Sequence, residues 1–389
     1  MILSESFNLL RRSITATESV SLPNGRDPKL QLLLNVVGHI QAGRVTAASL
    51  RLKHLLAWGL DLNQQEDLPY AVFSAALLRR LHGEAWSDAH LYMQDHPVPQ
   101  IRLFNLLATR VPQVHLAGQI ANELLCTHAR GAREVSLVDV GTGTGRQMVA
   151  VLERMAALDI RPERLHLVGI EPAAAALAQA EQDVLSTAAR LGMRVTFQGM
   201  AKPVEALTAS EWTALRTLPG KRLVNASFAL HHLPARDGRE LREDVLERLR
   251  EMAPAAFVLS EPNANHLEAD FQTRFLNSWE HFGLTFRTLD ALDLDADERK
   301  ALKTRFFGRE IEDIIAQPEG ERSERHELAT TWRHRLERAG FQLELDGKSV
   351  AGIRDEANVV QTVLRGGRVD LCFQGQTLVS VICAVPGTR

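Results

Sequence analysis

The stretch Leu137–Gly145 reads Leu-Val-Asp-Val-Gly-Thr-Gly-Thr-Gly and decides the fold. The apolar, β-branched residues that lead into it predict a strand buried on both faces, with one acid, Asp139, near its end. Three alternate glycines follow, Gly141, Gly143 and Gly145, and a helical pattern comes next. Glycine permits a sharp turn and close approach of a ligand, and a helix N-terminus offers N–H groups to an anion. The stretch therefore predicts a strand–loop–helix nucleotide site.

The glycine spacing narrows the choice of nucleotide. A dinucleotide site requires a third glycine where Arg146 stands, and a P-loop requires a Gly-Lys-Ser/Thr sequence that is absent here. An acid followed by alternate glycines resembles the first motif of S-adenosylmethionine-dependent methyltransferases, which holds the methionine end of the cofactor. A glycine-rich turn without a ligand and a nicotinamide oxidoreductase are the alternatives. The resemblance makes these residues candidate cofactor ligands: Asp139, Gly141, Thr142, Gly143 and Gly145.

Strands and helices alternate from Val135 onward, which predicts a parallel sheet with helices on both faces. Ligands of such sheets bind at the carboxyl ends of the strands. The second strand ends at Glu171, whose carboxylate can accept hydrogen bonds from both ribose hydroxyls. Because Pro172 begins a helical pattern, Glu171 is also a candidate helix-capping acid, and both roles can hold together. The ends of the second, third and fourth predicted strands add further candidate cofactor-binding residues: Pro172, Met200, Ala201, Asn225 and Ala226.

Polar residues near the ends of the fourth and fifth strands are the candidate catalytic groups. His231 and His232 follow the fourth predicted strand, and Glu261 and His266 follow the fifth. A neutral histidine can take a proton from a nucleophile near pH 7, so these residues are candidate bases or orienting groups. Packing is the alternative interpretation of the histidine pair, and a structural turn is the alternative for the later segment.

Composition excludes several classes of function. The chain has 389 residues, 45% of them hydrophobic, and a net charge of −3, as expected of a soluble globular protein without a nucleic-acid partner. Cys126, Cys372 and Cys383 show neither metal spacing nor a disulfide framework, which favours a reducing cytoplasm and no metal. No signal peptide or membrane span is predicted, so the expected location is cytoplasmic, without a membrane partner.

The length predicts more than one domain. Residues 1–115 show helical periodicity and predict an N-terminal helical cap, with a dimerisation bundle and hence a homodimer as the alternative. Residues 116–389 form the predicted core, and a helical insertion at about 267–325 joins the cap. Its stripe of aromatic residues favours a packed core. The charged run Glu319–Glu327 predicts an exposed turn, and closing strands are predicted at Phe341–Leu345, Val369–Phe373 and Thr377–Val385.

An ordered series of motifs over residues 30–389 resembles the GRAS family, known chiefly as plant transcriptional regulators with bacterial relatives. The resemblance implies an α/β fold with a methyltransferase-type Rossmann core and a helical cap. It also implies a mostly parallel seven-stranded sheet whose last strand is antiparallel. The motifs that carry the resemblance are His115–Asn122, Val135–Asp139, Leu230–Leu233, Asn263–His266, Gly308–Ile311, Glu324–Glu327 and Ala339–Phe341.

One departure from the plant members affects the expected function. Plant members usually lack the full glycine loop, whereas all three loop glycines are present here, which favours an enzyme and a bacterial member. The first hypothesis is an S-adenosylmethionine-dependent methyltransferase that acts on a small-molecule substrate under the cap and releases S-adenosylhomocysteine. The alternative is a non-catalytic GRAS-type regulatory or protein-interaction module that has kept a ligand-binding fold.

Overall fold

The computed structural model describes residues 27–57, 60–61, 64–82, 100–233, 235–236 and 239–387. These residues divide into two compact units. The first unit contains the described residues up to Leu107 together with Ala264–Arg325, and the second contains Ala108–Asn263 and the described residues from His326 onward. The predicted helical insertion thus falls in the same unit as the N-terminal helices. Residues 1–26 of the predicted N-terminal cap lie outside the described residues.

The first unit is built from helices. Asp27 caps the first of them by accepting hydrogen bonds from the N–H groups of Lys29 and Leu30, and Pro28 supplies the preset backbone angle of a first turn. The aromatic stripe of the insertion packs inside this unit, as predicted, with the Phe275 ring edge-on to Phe73. The helices are Pro28–Gln41, Val45–Ala57, Leu68–His82, Phe271–Asp290, Ala296–Ala301 and Phe307–Ala316, and Gln100–Arg110 crosses the boundary between the units.

The second unit contains a nine-stranded sheet in the order β3-β2-β1-β4-β7-β11-β10-β9, and β8 also pairs with β11. The five strands from β3 to β7 in this order are parallel, and β11 runs antiparallel to β7. A separate two-residue pair, β5 and β6, precedes β7 in the chain. The bounds are β1 Glu134–Val140, β2 Arg164–Ile170, β3 Val195–Met200, β4 Lys221–Ser227, β5 Ala235–Arg236, β6 Arg239–Glu240, β7 Ala256–Pro262, β8 Phe341–Leu343, β9 Gln361–Arg365, β10 Arg368–Phe373 and β11 Gln376–Pro386.

Helices of this unit precede, separate and follow the strands of the sheet. The core includes Phe257 of β7, and the buried side chains of Trp332 and Leu336 pack into the same cluster. Across the described residues, no helix combines the length and the apolar character needed to cross a bilayer. The helices of this unit are Pro112–Ala129, Arg146–Ala157, Ala174–Leu191, Ala209–Arg216, Leu241–Glu251, Ala329–Arg338 and Gly347–Val350.

The predicted mixed α/β fold with a mostly parallel sheet is confirmed, but the predicted count of seven strands is wrong. The sheet exceeds seven strands because β8 pairs with β11 and β9 pairs with β10. The sequence does not predict β9. Both ends of β9, Gln361 and Arg365, are exposed. The strand therefore lacks the alternation of buried apolar and exposed polar residues by which a strand is recognised in a sequence.

The exposed turn predicted for the charged run Glu319–Glu327 is present only over residues 319–321, and the prediction is wrong for the rest of the run, most of which is buried. In the first unit, Arg322 and Arg325 are buried and donate hydrogen bonds to Glu319. In the second unit, the buried Glu327 accepts two hydrogen bonds from the Nε and Nη2 atoms of Arg335, at 2.8 and 2.6 Å. Charged side chains can be buried when they are paired in this way.

We predict that Asp370→Asn lowers the free energy of unfolding by roughly 2–4 kcal/mol, because it leaves the guanidinium of Arg368 without its counter-charge. Asp370 is fully buried, accepts two hydrogen bonds from Arg368 at 2.7 and 3.1 Å, and accepts a third from Ser380 at 2.7 Å. Urea unfolding of both proteins measures the difference.

The control for this prediction is Glu337→Gln, which removes an acid from the exposed ion pair with Arg333. Exposed pairs contribute little, so this change should shift the free energy of unfolding by less than about 0.5 kcal/mol. Equal losses in the two variants would show that the pair at Asp370 does not stabilise the sheet as described.

Candidate functional site at the carboxyl edge of the sheet

The glycine loop connects β1 to the helix Arg146–Ala157 by a turn that packs closely against its neighbours. The N–H of Gly141 donates to the carbonyl of Ile170 at 2.9 Å, which ties the loop to the end of β2. Gly141 has a φ of +76°, and a Cβ there would lie 2.5 Å from the Cβ of Ala229. The loop therefore needs glycine at this position for its own packing, whether or not a ligand binds.

The glycine loop, predicted to hold the methionine end of the cofactor, is hydrogen-bonded to Glu171, predicted to hold its ribose. The Oε2 atom of Glu171 accepts from the N–H of Gly143 at 3.0 Å, and its Oε1 atom accepts from the N–H of Ala173 at 3.0 Å. The second bond closes a local turn two residues long, just before the helix Ala174–Leu191. The N-cap of that helix is Ala173 and no side chain caps it, so Glu171 is not the capping acid of the alternative interpretation. Of the predicted neighbours, Pro172 and Ala201 are exposed, and Met200 is buried at the end of β3.

Asp139 and Asn225 meet at the ends of β1 and β4. The Nδ2 atom of Asn225 donates to the Oδ1 atom of Asp139 at 2.7 Å, and both residues are buried. The Oδ2 atom of Asp139 is buried without a hydrogen-bond partner among the described residues. Burial raises the pKa of Asp139 to about 7; the bond from Asn225 opposes this rise and the charge of Glu171 adds to it. Thr142 and Ala226 are buried beside this pair.

A second pair of predicted residues, His231 and Glu261, also lies in contact. The Nδ1 atom of His231 and the Oε2 atom of Glu261 are 2.5 Å apart, and the N–H of Leu230 donates to Oε1 at 2.8 Å. Burial acts to raise the pKa of Glu261, but His231, the Leu230 N–H and the charge of His326 together hold it below its usual range. Both oxygens of this carboxylate therefore fix the turn that follows β4.

The histidine turn is held in place by residues that the sequence interpretation did not select. The buried Arg242 donates to the carbonyl of Leu230 at 3.2 Å and to that of His231 at 2.9 Å. The rings of His232 and His326 lie against that of His231, with centroids 4.0 and 4.4 Å away. A signal for His326 was present, since it belongs to one of the motifs of the family resemblance. Arg242 has no such signal, because a charged residue in an amphipathic helix is usually solvated.

His266 belongs to the first unit, whereas the other three candidate catalytic residues belong to the second. It is fully buried, and its ring stacks on that of Phe282 with centroids 5.8 Å apart and an angle of 14° between the rings. Its carbonyl accepts a hydrogen bond from Arg322 at 2.8 Å. Within its unit, His266 therefore packs as a core residue.

The geometry fits an S-adenosyl nucleoside only in part. The unpartnered Oδ2 atom of Asp139 offers a buried acceptor, and Gly143 has open space where a side chain would lie. Each oxygen of Glu171 already accepts one backbone hydrogen bond, so only its remaining lone pairs are left for ribose hydroxyls. The same polar groups that a ligand would use thus stabilise the loops around them.

The sheet order and the glycine loop define a mixed α/β protein with a Rossmann-like core. The crystal structure of SCL7 from Oryza sativa superposes with a TM-score of 0.76 at 23% identity, over 92% of this chain and 100% of that chain. The profile of the GRAS domain family matches residues 30–381. The chain therefore belongs to the GRAS domain family.

Curated plant proteins resemble part of this chain. Scarecrow-like protein 1 of Arabidopsis thaliana is 28% identical over 234 residues, which cover 57% of this chain and 38% of that protein. Scarecrow-like transcription factor PAT1 of the same plant is 26% identical over 231 residues, which cover 57% of this chain and 46% of that protein. The matches thus span less than half the length of either relative.

The hypothesis of a small-molecule methyltransferase is wrong. The family match covers most of the chain, and one of the relatives found is named a transcription factor. The complete glycine loop led to the hypothesis, but two of its three glycines are also explained by close packing, Gly141 against Ala229 and Gly145 against Ala180. These findings favour the regulatory alternative.

We predict that Asp139→Asn changes how stability depends on pH. Because Asp139 ionises near 3.8 when unfolded and near 7 when folded, the folded wild type binds more protons in this range and loses stability as pH rises. The variant lacks this loss, so its stability relative to the wild type should rise by about 2 kcal/mol or more between about pH 5 and pH 7. Urea unfolding at several pH values measures it.

Asp159→Asn is the matched control, because the side chain of Asp159 is 94% exposed. Its difference from the wild type should stay constant over the same pH range. If the difference for Asp139→Asn were equally constant, Asp139 would be ionised in the folded protein with an ordinary pKa, against the burial described.

Proposed function

We propose that this chain is a non-catalytic GRAS-type regulatory or protein-interaction module that has kept a ligand-binding fold. The observation that supports it most strongly is the family match over residues 30–381. The hydrogen bond between Glu171 and Gly143 supports it further, because it engages the two groups that a cofactor would need. The cytoplasmic location, the bacterial origin and the absence of nucleic-acid and membrane partners stay predictions from the sequence.

The internal bonding of the polar residues favours a fixed scaffold over a catalytic centre. A catalytic base must reach the substrate directly or through one water. His231 instead contacts the Glu261 carboxylate inside a turn that Arg242 also holds. An arrangement of this kind keeps loop backbones rigid, and a rigid surface lowers the entropy lost when a protein partner binds.

The direct test of the proposal is a partner that can be reconstituted. We expect crosslinking and affinity purification from the source cells to yield a protein that forms a stoichiometric complex with the purified chain, measured by size-exclusion chromatography with light scattering. Glu171→Gln should form the same complex. Transfer of labelled methyl groups from S-adenosylmethionine by the wild type, without any reconstituted complex, would contradict the proposal.

The retained fold also leads us to propose an S-adenosyl nucleoside as a ligand. When bound, it would lie against Asp139, the loop at Gly143 and Glu171, and the buried Oδ2 atom of Asp139 is the observation that supports this. We predict that S-adenosylhomocysteine gives measurable heat in titration calorimetry with the wild type. Glu171→Gln should weaken its binding by about tenfold, or about 1.4 kcal/mol, because a charged acceptor is lost.

Glu181→Gln serves as the control in this titration, since Glu181 is exposed on the helix Ala174–Leu191. It should bind as the wild type does. Absence of heat with all three proteins would show that the loop does not bind the nucleoside. The regulatory proposal would not be affected, because the complex described above tests it separately.

A further inference from the structure

Four arginines of the first unit converge on one turn. Arg80 lies in the last turn of the helix Leu68–His82, Arg274 lies in the first turn of the helix Phe271–Asp290, and Arg322 and Arg325 follow the helix Phe307–Ala316. The guanidinium carbons of Arg80 and Arg274 lie 4.1 and 5.7 Å from the centroid of the Phe271 ring. We call these four residues the arginine cluster.

Glu319 supplies the carboxylate at the centre of the arginine cluster. Arg322 donates to both of its oxygens, at 2.6 and 3.1 Å, while Arg274 donates to Oε2 at 2.9 Å and Arg325 to Oε1 at 3.2 Å. Arg274, Arg322 and Arg325 are buried, whereas the side chain of Glu319 is 55% exposed. The carboxylate of Glu319 at the solvent boundary is therefore shared at least by the buried guanidinium groups of Arg274 and Arg322.

Arg274 is not fully satisfied by this arrangement. The Nε atom of Arg274 is buried and has no hydrogen-bond partner among the described residues. Burial lowers the pKa of Arg274 to about 10, and the charges of Arg322 and Arg80 lower it further against the effect of Glu319. An uncompensated buried cation is destabilising, so additional negative charge would be favourable here.

Another nearby acid does not meet this need. Asp313 accepts backbone hydrogen bonds from Ser323 at 2.9 Å and from Glu324 at 2.6 Å. Burial raises the pKa of Asp313 although these bonds and the charge of Arg322 oppose the rise. Its oxygens hold the turn and do not hydrogen-bond to the cluster in the described contacts.

We propose that the arginine cluster is a binding site for a phosphate dianion, either inorganic or carried by a phosphomonoester, and that Glu319 occupies the site in its absence. Guanidinium groups match phosphate oxygens in geometry and charge, often through paired hydrogen bonds. A dianion would bring one more negative charge than the carboxylate it replaces. The proposal does not depend on the function proposed above.

The turn allows such an exchange without refolding. The N–H of Glu321 donates to the carbonyl of Pro318 at 3.0 Å, and the carbonyl of Glu319 accepts from Arg325. The backbone is thus fixed, while the exposed carboxylate of Glu319 can rotate into solvent. Arg80 contacts the carbonyl of Ile315 at 3.1 Å and not Glu319, so it can be replaced without breaking the Glu319 contacts.

The test is titration of the full chain with inorganic phosphate and with O-phosphoserine. Calorimetry measures binding, and thermal unfolding measures stabilisation, each compared with chloride at the same ionic strength. We expect both anions to bind and to raise the unfolding temperature. In Glu319→Gln the resident carboxylate is gone, so phosphate should bind more than about tenfold tighter than to the wild type. Tighter binding of O-phosphoserine than of phosphate would identify a phosphomonoester as the source.

Two variants keep the test decisive if Glu319→Gln does not fold. Glu321→Gln makes the same chemical change on an exposed residue of the same turn and should bind phosphate as the wild type does. Arg80→Gln keeps Glu319 and its three contacts but should weaken phosphate binding by about tenfold. If phosphate stabilised none of these proteins more than chloride does, the cluster would serve only to hold the turn, and the proposal would be overturned.

Discussion

Carboxyl groups removed from water need hydrogen-bond partners, and the buried Asp139 and Glu261 and the half-buried Glu171 at the carboxyl edge of this sheet each have at least one inside the protein. Asp139 accepts from Asn225, Glu171 from Gly143, and Glu261 from Leu230 while it contacts His231. Each bond joins the end of one strand to a loop or strand next to it. The edge where a Rossmann-like sheet would bind a ligand is therefore stabilised by its own side chains, and membership of the GRAS family agrees with that arrangement.

The glycine loop shows how one sequence feature can satisfy two different requirements. Gly141 and Gly145 both have positive φ angles, and a Cβ at either would lie within 3 Å of an alanine on a neighbouring element. Such positions need glycine for close packing even without a nucleoside. Gly143 is different, because nothing lies within 4 Å of a Cβ built there. The space for the proposed ligand therefore lies beside Gly143.

The sequence predicts the regular part of this structure and fails where burial depends on distant partners. The sequence predicts strands at Val135–Val140, Leu165–Ile170, Arg194–Gln198, Arg222–Ser227 and Ala256–Ser260. The bounds of β1 to β4 and β7 lie within two residues of these, because buried apolar runs are local signals. The exposed β9 and the buried Arg322 gave no such signal, since the partners of Arg322 include the carbonyl of His266, far away in the chain. At the site, residue types and strand ends identified His231 and Glu261, but only the structure shows that their polar atoms are engaged with each other.

Hydrogen exchange of the Gly143 amide tests the central claim most directly, because this N–H is the donor to Glu171. If the acids at the edge of the sheet hydrogen-bond to its loops as described, the Gly143 amide is protected from exchange in the wild type. It then exchanges markedly faster in Glu171→Ala, while the amides of β1 keep their protection. Exchange of the Gly143 amide in the wild type at the rate of an unprotected loop would contradict the account.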